Sequence, residues 1–179
     1  MRLFFAVELP HEVHLALGRL RSVEASDYRW TDPALLHVTL AFLGEQPEER
    51  LEALQGIGAA AARASSPGHL TLGHAGSFGS RKAPRVLWVG LDGDLAALDA
   101  LQSHLDTRLR AASFTLEDRP FSPHITLARR RDAARSGPPE GWPPQRLNTP
   151  FEMDHLTLFQ SRLSPRGATY IPLASFPLH

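Results

Sequence analysis

The chain of 179 residues contains no cysteine, which excludes a disulfide framework, thiolate zinc or iron–sulfur ligation and a cysteine nucleophile. Lysine is almost absent: Lys82 is the single lysine among 19 basic residues, and the other 18 are arginine. Arginine forks grip phosphate in bidentate fashion, yet a chain rich in Arg, Ala, Gly and Pro with three isoleucines also reads as the product of GC-rich coding. An excess of either charge is missing too, with 19 basic against 19 acidic residues. That balance argues against a protein that coats nucleic acid non-specifically, because such affinity grows with the number of phosphates neutralised. Long apolar runs are absent: nothing approaches the ~18 residues that a membrane span requires. The apolar start Leu3–Val7 is cut by Glu8 and Pro10 and has no small-residue cleavage site, so no signal peptide is expected and a cytoplasmic location is.

What remains is a chain of globular composition, 42% hydrophobic and 21% charged, of a length that suits one domain over residues 1–179. Strands are expected at Leu3–Leu9, Leu36–Leu43, Leu70–Leu72, Val86–Leu91, Ile125–Ala128, Leu156–Gln160 and Thr169–Leu173. Helices are expected over His11–Val23, from Pro47 to about Ala64, and over Leu95–Ala111, the last with a leucine stripe at 95, 98, 101, 105 and 109. Tyr28–Pro33 and the Gly/Ser/Arg segment Gly73–Arg85 read as connections. Arg131–Pro150, with five prolines, reads as a loop or lid. Short amphipathic strands interleaved with helices fit an α+β protein of antiparallel sheets better than a doubly wound parallel sheet.

The informative pattern is His-x-Thr-Leu, at His37-Val38-Thr39-Leu40 and again 87 residues on at His124-Ile125-Thr126-Leu127. Residues i and i+2 of a strand share a face about 6.6 Å apart, so each copy presents an imidazole beside a hydroxyl. Two such strands facing across a cleft would hold one small anion between two proton carriers and two hydroxyl donors, which is equipment for acid–base chemistry at phosphorus. Further copies at His69-Leu70-Thr71-Leu72 and His155-Leu156-Thr157-Leu158 follow the first two by 32 and 31 residues. That spacing suggests an internal duplication and leaves four His–Thr pairs competing for two posts.

The surroundings separate them. Leu35–Gly44 and Phe121–Arg129, with the opening Arg2–Pro10, the middle Val86–Gly90 and the closing Phe159–Ser161, Gly167 and Tyr170–Leu173, resemble the two-histidine phosphoesterase superfamily. The similarity is specifically to its RNA 2′,3′-cyclic phosphodiesterase (2′-5′ RNA ligase) branch. The resemblance implies a bilobal, pseudo-twofold fold of two antiparallel sheets flanked by helices, with the active site in the cleft between lobes. It implies metal-independent hydrolysis of RNA 2′,3′-cyclic phosphate ends to 2′-phosphate ends, without a cofactor, and reversible ATP-independent 2′-5′ joining. Carried over by position, His37 is the general acid and His124 the general base, with Thr39 and Thr126 on the phosphoryl oxygens. His69 and His155 fall at ordinary strand positions.

Strict alternation places Arg130 on the face of His124 and Thr126, as the residue to neutralise the phosphate. Arg162, Arg166 and Tyr170 are weaker contacts. For base stacking the aromatics are Phe42, Trp30, Tyr28 and Trp142; alternation puts Phe42 with Val38 and Leu40, in the core. The expected partner is an RNA carrying a 2′,3′-cyclic phosphate, tRNA fragments included, with no membrane, no metal and a monomeric chain. Nine histidines invite a metal reading, but carboxylate-rich clusters and His-x-His or His-Glu-x-x-His spacings are absent. Gly56–Ala61 matches a dinucleotide fingerprint only inside a helical pattern. The alternatives are a phosphodiesterase of a small nucleotide such as ADP-ribose cyclic phosphate, and a non-catalytic RNA-end binding module.

Overall fold

The computed structural model describes residues 1–21, 27–132, 134, 137–165 and 167–179. Among them are β1 (Arg2–Glu8), α1 (His11–Gly18), β2 (Tyr28–Trp30), β3 (His37–Glu45), α2 (Leu51–Arg63), β4 (Gly68–Gly79) and β5 (Pro84–Gly93). They are followed by α3 (Leu95–Ala111), β6 (His124–Arg130), β7 (Pro150–Met153), β8 (His155–Ser164) and β9 (Gly167–Pro177). The strands form two sheets, ordered β3-β1-β8-β9 and β2-β6-β5-β4-β7, and the pairings are antiparallel throughout. The α+β architecture expected from the sequence is the one observed.

The two halves of the chain repeat one plan and exchange strands. In each half an opening strand pairs with the strand that begins at a motif histidine, β1 with β3 and β5 with β6. The later strand of each half crosses to the opening strand of the other, so that β8 pairs with β1 and β4 with β5. Each sheet is therefore built from both halves. The additional His-x-Thr-Leu copies lie on these exchanged strands but in different registers. Ala6, opposite Thr39, faces Thr157 on its other side; its counterpart Trp88, opposite Thr126, faces Gly76. The spacing of 32 and 31 residues thus marks corresponding strands rather than corresponding residues.

One face of each sheet packs under the helices. Leu98, Leu101, Leu105 and Leu109 of α3 are fully buried, as their stripe predicts, and truncating one such leucine to alanine typically costs about 2–5 kcal/mol. Gly56 and Gly58 sit inside α2, and Gly58 has a packing role: a Cβ there would stand 2.6 Å from the Phe176 ring and 2.9 Å from that of Phe5. The glycine lets the helix lie close on the first sheet, whereas a Cβ on Gly56 would meet nothing within 4 Å.

Long-range pairing overrides the local reading in several places. Tyr28–Trp30, expected as loop, adds to the edge of the second sheet beside Arg130–Ala128, and the Tyr28 hydroxyl donates to the Pro84 carbonyl at 2.8 Å. β4 runs to Gly79, well into the segment read as a connection, and β5 begins at Pro84, near its end. Pro150 begins an unexpected strand that pairs with β4; a proline at a strand's first residue is tolerated because its missing N–H breaks little of the ladder. α1 ends at Gly18, short of the expected Val23, and Ser22 and Val23 lie outside the described residues. The proline-rich segment is held down by packing of Trp142 edge-on against Trp30 (6.3 Å) and by an ion pair of Arg146 with Asp92. No helix among the described residues is long and apolar enough to cross a membrane.

Candidate active site

His37 opens β3 and His124 opens β6, and in both the ring is fixed by the carbonyl two residues before it. Nδ1 of His37 donates to the Leu35 carbonyl at 2.8 Å, and Nδ1 of His124 to the Ser122 carbonyl at 2.7 Å. A carbonyl only accepts, so Nδ1 carries the proton in each ring and Nε2 is left to exchange one with a substrate. Nε2 of His37 lies 2.9 Å from the Thr39 hydroxyl. His37, Thr39, His124 and Thr126 line one cleft of about 260 Å³ between the sheets. The second pair of histidines lies elsewhere: His69 is beside Glu152 (3.5 Å) and His155 beside Asp154 (2.8 Å). Thr157 is fully buried, and its hydroxyl donates to the Glu8 carboxylate at 2.6 Å.

Strict alternation fails at the same point of both motifs. Phe5 faces Ala41 and Ala6 faces Thr39, leaving Leu40 as an extra residue in β3. Leu87 faces Ala128 and Trp88 faces Thr126, leaving Leu127 extra in β6. A bulge of one residue moves all that follow to the other face. Phe42, expected in the core, is therefore 41% exposed and lines the cleft. Arg129 lines it too, whereas Arg130, expected there, turns away and donates from its guanidinium to the Ala134 carbonyl at 2.9 Å. The two bulges set Phe42 and Arg129 at corresponding positions, five residues after each histidine.

Burial pushes the His37 imidazole below its ordinary value; the Leu35 carbonyl opposes this, and the charge of His124 adds to it. The ring stands between Phe4 (4.9 Å) and Tyr170 (5.2 Å, edge-on), a packing that fixes it and removes water. Burial likewise raises the Tyr170 phenol, while the Arg129 and Arg2 guanidiniums pull it down. An anion entering the cleft meets these two cations, and its charge stabilises an imidazolium at His37. Arg2 also stacks on Phe42, 5.0 Å from the ring centre. Arg2 is not among the residues that the sequence reading singles out for the site, although it alternates with Phe4 on β1.

Of the remaining candidates, Tyr170 lines the cleft, Arg162 is exposed on β8 opposite Thr169, and Arg166 lies outside the described residues. Tyr28 is buried, and Trp30 and Trp142 pack around it, so of the four stacking candidates the cleft takes Phe42 alone. No three His, Asp or Glu side chains among the described residues are grouped to hold a metal ion. The arrangement offers two pinned imidazoles, two hydroxyls and two guanidiniums around a volume suited to one phosphate and the sugar attached to it.

Comparison with known proteins bears on this site. Residues 9–164 match the model of the 2′-5′ RNA ligase superfamily. An RNA 2′,3′-cyclic phosphodiesterase of Thermus thermophilus is 34% identical over 99% of this chain and 90% of its own length. One of Escherichia coli is 33% identical over 99% and 96%. The crystal structure of E. coli LigT complexed with 3′-AMP superposes with a TM-score of 0.81 at 32% identity, covering 99% of this chain and 97% of that one.

Proposed function

Because the chain belongs to the 2′-5′ RNA ligase superfamily, we propose that it hydrolyses RNA 2′,3′-cyclic phosphate ends to 2′-phosphates as a single two-histidine phosphoesterase domain. The observation that carries this reading is the matched pinning of His37 and His124 through Nδ1, with both rings lining one cleft beside Thr39 and Thr126. His124 Nε2 takes a proton from water as the oxygen attacks phosphorus, the P–O3′ bond breaks, and His37 Nε2 gives its proton to O3′. Thr39 and Thr126 hold the phosphoryl oxygens while charge develops, and Arg129 takes the neutralising role that alternation assigned to Arg130. Phe42, backed by Arg2, offers an open ring for the base of the terminal nucleotide.

The substrate is an RNA end, tRNA fragments among the candidates, met by a monomeric cytoplasmic chain. Incubation with RNA bearing a 2′,3′-cyclic phosphate, in the presence of EDTA, tests the reading. The expected product is a 2′-phosphate at an undiminished rate. A 3′-phosphate would reverse the leaving group, and recovery of unchanged RNA would reject the enzyme in favour of an RNA-end binding module.

A further inference from the structure

The two motif histidines each meet one aromatic edge-on, but from unequal neighbours. His37 meets Tyr170 at 5.2 Å and 82°; His124 meets Phe78 at 5.0 Å and 89°. Tyr170 is packed against Phe4 as well and comes from β9, which runs beside β8 from His155 to Ser164. In the second sheet the corresponding outer strand, β7, pairs only with Gly68–Thr71 of β4. Main-chain bonds from Leu147–Thr149 reach no further than Gly73. Past that point β4 has β5 on one side and, among the described residues, no strand on the other.

Phe78 therefore lies on an edge, 39% exposed, with Trp88 beneath it at 5.2 Å and 36°. Trp88 in turn lies flat over Gly76, where a Cβ would come within 2.5 Å of the indole. A large exposed ring on a built aromatic support, touching a motif histidine, is not explained by packing. Next to it, the β4–β5 turn carries Arg81 and Lys82, and the start of β5 carries Arg85; all three are exposed and none of them is in an ion pair among the described residues. Arg85 is close in the ladder: the register sets Phe78 against Val86, the next residue, and a Cβ on Gly79 would lie 3.5 Å from Arg85 Cγ.

An open aromatic face flanked by unpaired cations is the combination that holds a nucleotide of a single strand, base on ring and phosphate on charge. We infer that Phe78 with Arg81, Lys82 and Arg85 forms a second nucleotide seat, for the residue next to the one that bears the cyclic phosphate. This rests on the reading of the cleft as an RNA-end phosphodiesterase, in which Phe42 takes the terminal base. The chain then prefers an oligonucleotide end to a cyclic mononucleotide, and the preference comes from the second sheet.

The experiment compares adenosine 2′,3′-cyclic phosphate with the dinucleotide ApA ending in a 2′,3′-cyclic phosphate. In the unmodified protein kcat/KM for the dinucleotide is at least about fivefold higher, from the stacking of one base, and the gap narrows with added salt. Phe78→Leu, which keeps an apolar side chain against His124 but offers no ring face, removes most of the gap; Phe78→Trp retains it, and Arg85→Gln reduces it. Equal kcat/KM for the two substrates in the unmodified protein, or a gap undiminished in Phe78→Leu, would overturn the seat while leaving the proposed activity standing. A binding measurement separates the two claims: with 2-aminopurine as the base next to the end, its fluorescence is quenched by the unmodified protein and not by Phe78→Leu. Quenching without hydrolysis of either substrate would reject the activity and keep the seat; quenching equal in both proteins would reject the seat.

Discussion

On the two walls of the cleft the same tetrapeptide ends up in unlike company. Both histidines donate from Nδ1 to a carbonyl two residues back, and both strands carry one extra residue after the threonine. The backbone device is thus shared. The side chains after it are not: the first wall continues with Phe42 and the second with Arg129. His37 is enclosed by Phe4 and Tyr170, while His124 meets Phe78 on an open edge. Symmetry supplies two imidazoles pinned alike, and departures from it make the walls unlike, with an apolar ring on one at the position where the other carries a guanidinium; in the proposed reaction the ring serves a base and the cation a phosphate.

The sharpest way to break this comparison is to remove each histidine in turn. His37→Ala and His124→Ala are each expected to lower cyclic-phosphate hydrolysis about 10²–10⁴-fold with an unchanged far-ultraviolet circular dichroism spectrum. Near-normal turnover in either variant would mean that the two walls do not share the chemistry. Arg129→Ala comes next: losing a charge-assisted contact is worth roughly tenfold or more in KM, together with a shallower dependence on salt. Arg130→Ala should leave both close to those of the unmodified protein, and a reversed order would contradict the role of the bulge in β6.

Gly58→Ala probes the scaffold beneath the first wall. Forcing a methyl against Phe176 and Phe5 should cost about 1–3 kcal/mol in chemical denaturation, with little effect on KM. The smallest effect is on pH. With the free His37 imidazole held below its ordinary value, its protonated form is lost early as pH rises. The alkaline limb of kcat/KM, which reports the free protein, should then lie at lower pH than that of kcat, where the bound anion favours the imidazolium. Coincident limbs would argue that His37 is not the acid. The same depression makes a small contribution to stability that is present above the unfolded value near 6.5 and is lost as pH falls through the folded one. His37→Gln should flatten that part of a plot of Tm against pH.

Much of this was legible in the residues. The leucine stripe of α3 has its expected boundaries, because a helix 17 residues long is specified by its own periodicity. The pairs His37–Thr39 and His124–Thr126 are legible as strand-face neighbours from a two-residue spacing, but that spacing marks His69–Thr71 and His155–Thr157 equally, and only the resemblance of the surrounding residues to a known family separates them. The edge strands β2 and β7 were not legible: three or four residues carry too little periodic signal, and their partners lie far away in sequence. Phe42, Arg129 and Arg130 were misplaced for a single reason, since a bulge is set by pairing with β1 and β5 and leaves no mark on alternation within its own strand. Phe78 is not legible from the sequence because Gly73–Arg85, rich in Gly and Ser, reads as a connection until β5 pairs along it.

By itself the sequence determined the absences and the local periods: no thiol chemistry, no surplus of charge to coat a polyanion, three helical stretches, and four histidines each paired with a threonine on one strand face. These follow from composition and from spacing along a single element. Only the tertiary structure decided which strands the halves exchange, where the bulges turn Phe42 and Arg129 into the cleft, and how burial between Phe4 and Tyr170 makes one histidine differ from the other. Each of those depends on hydrogen bonding and packing between residues distant in the chain, where no local period reaches.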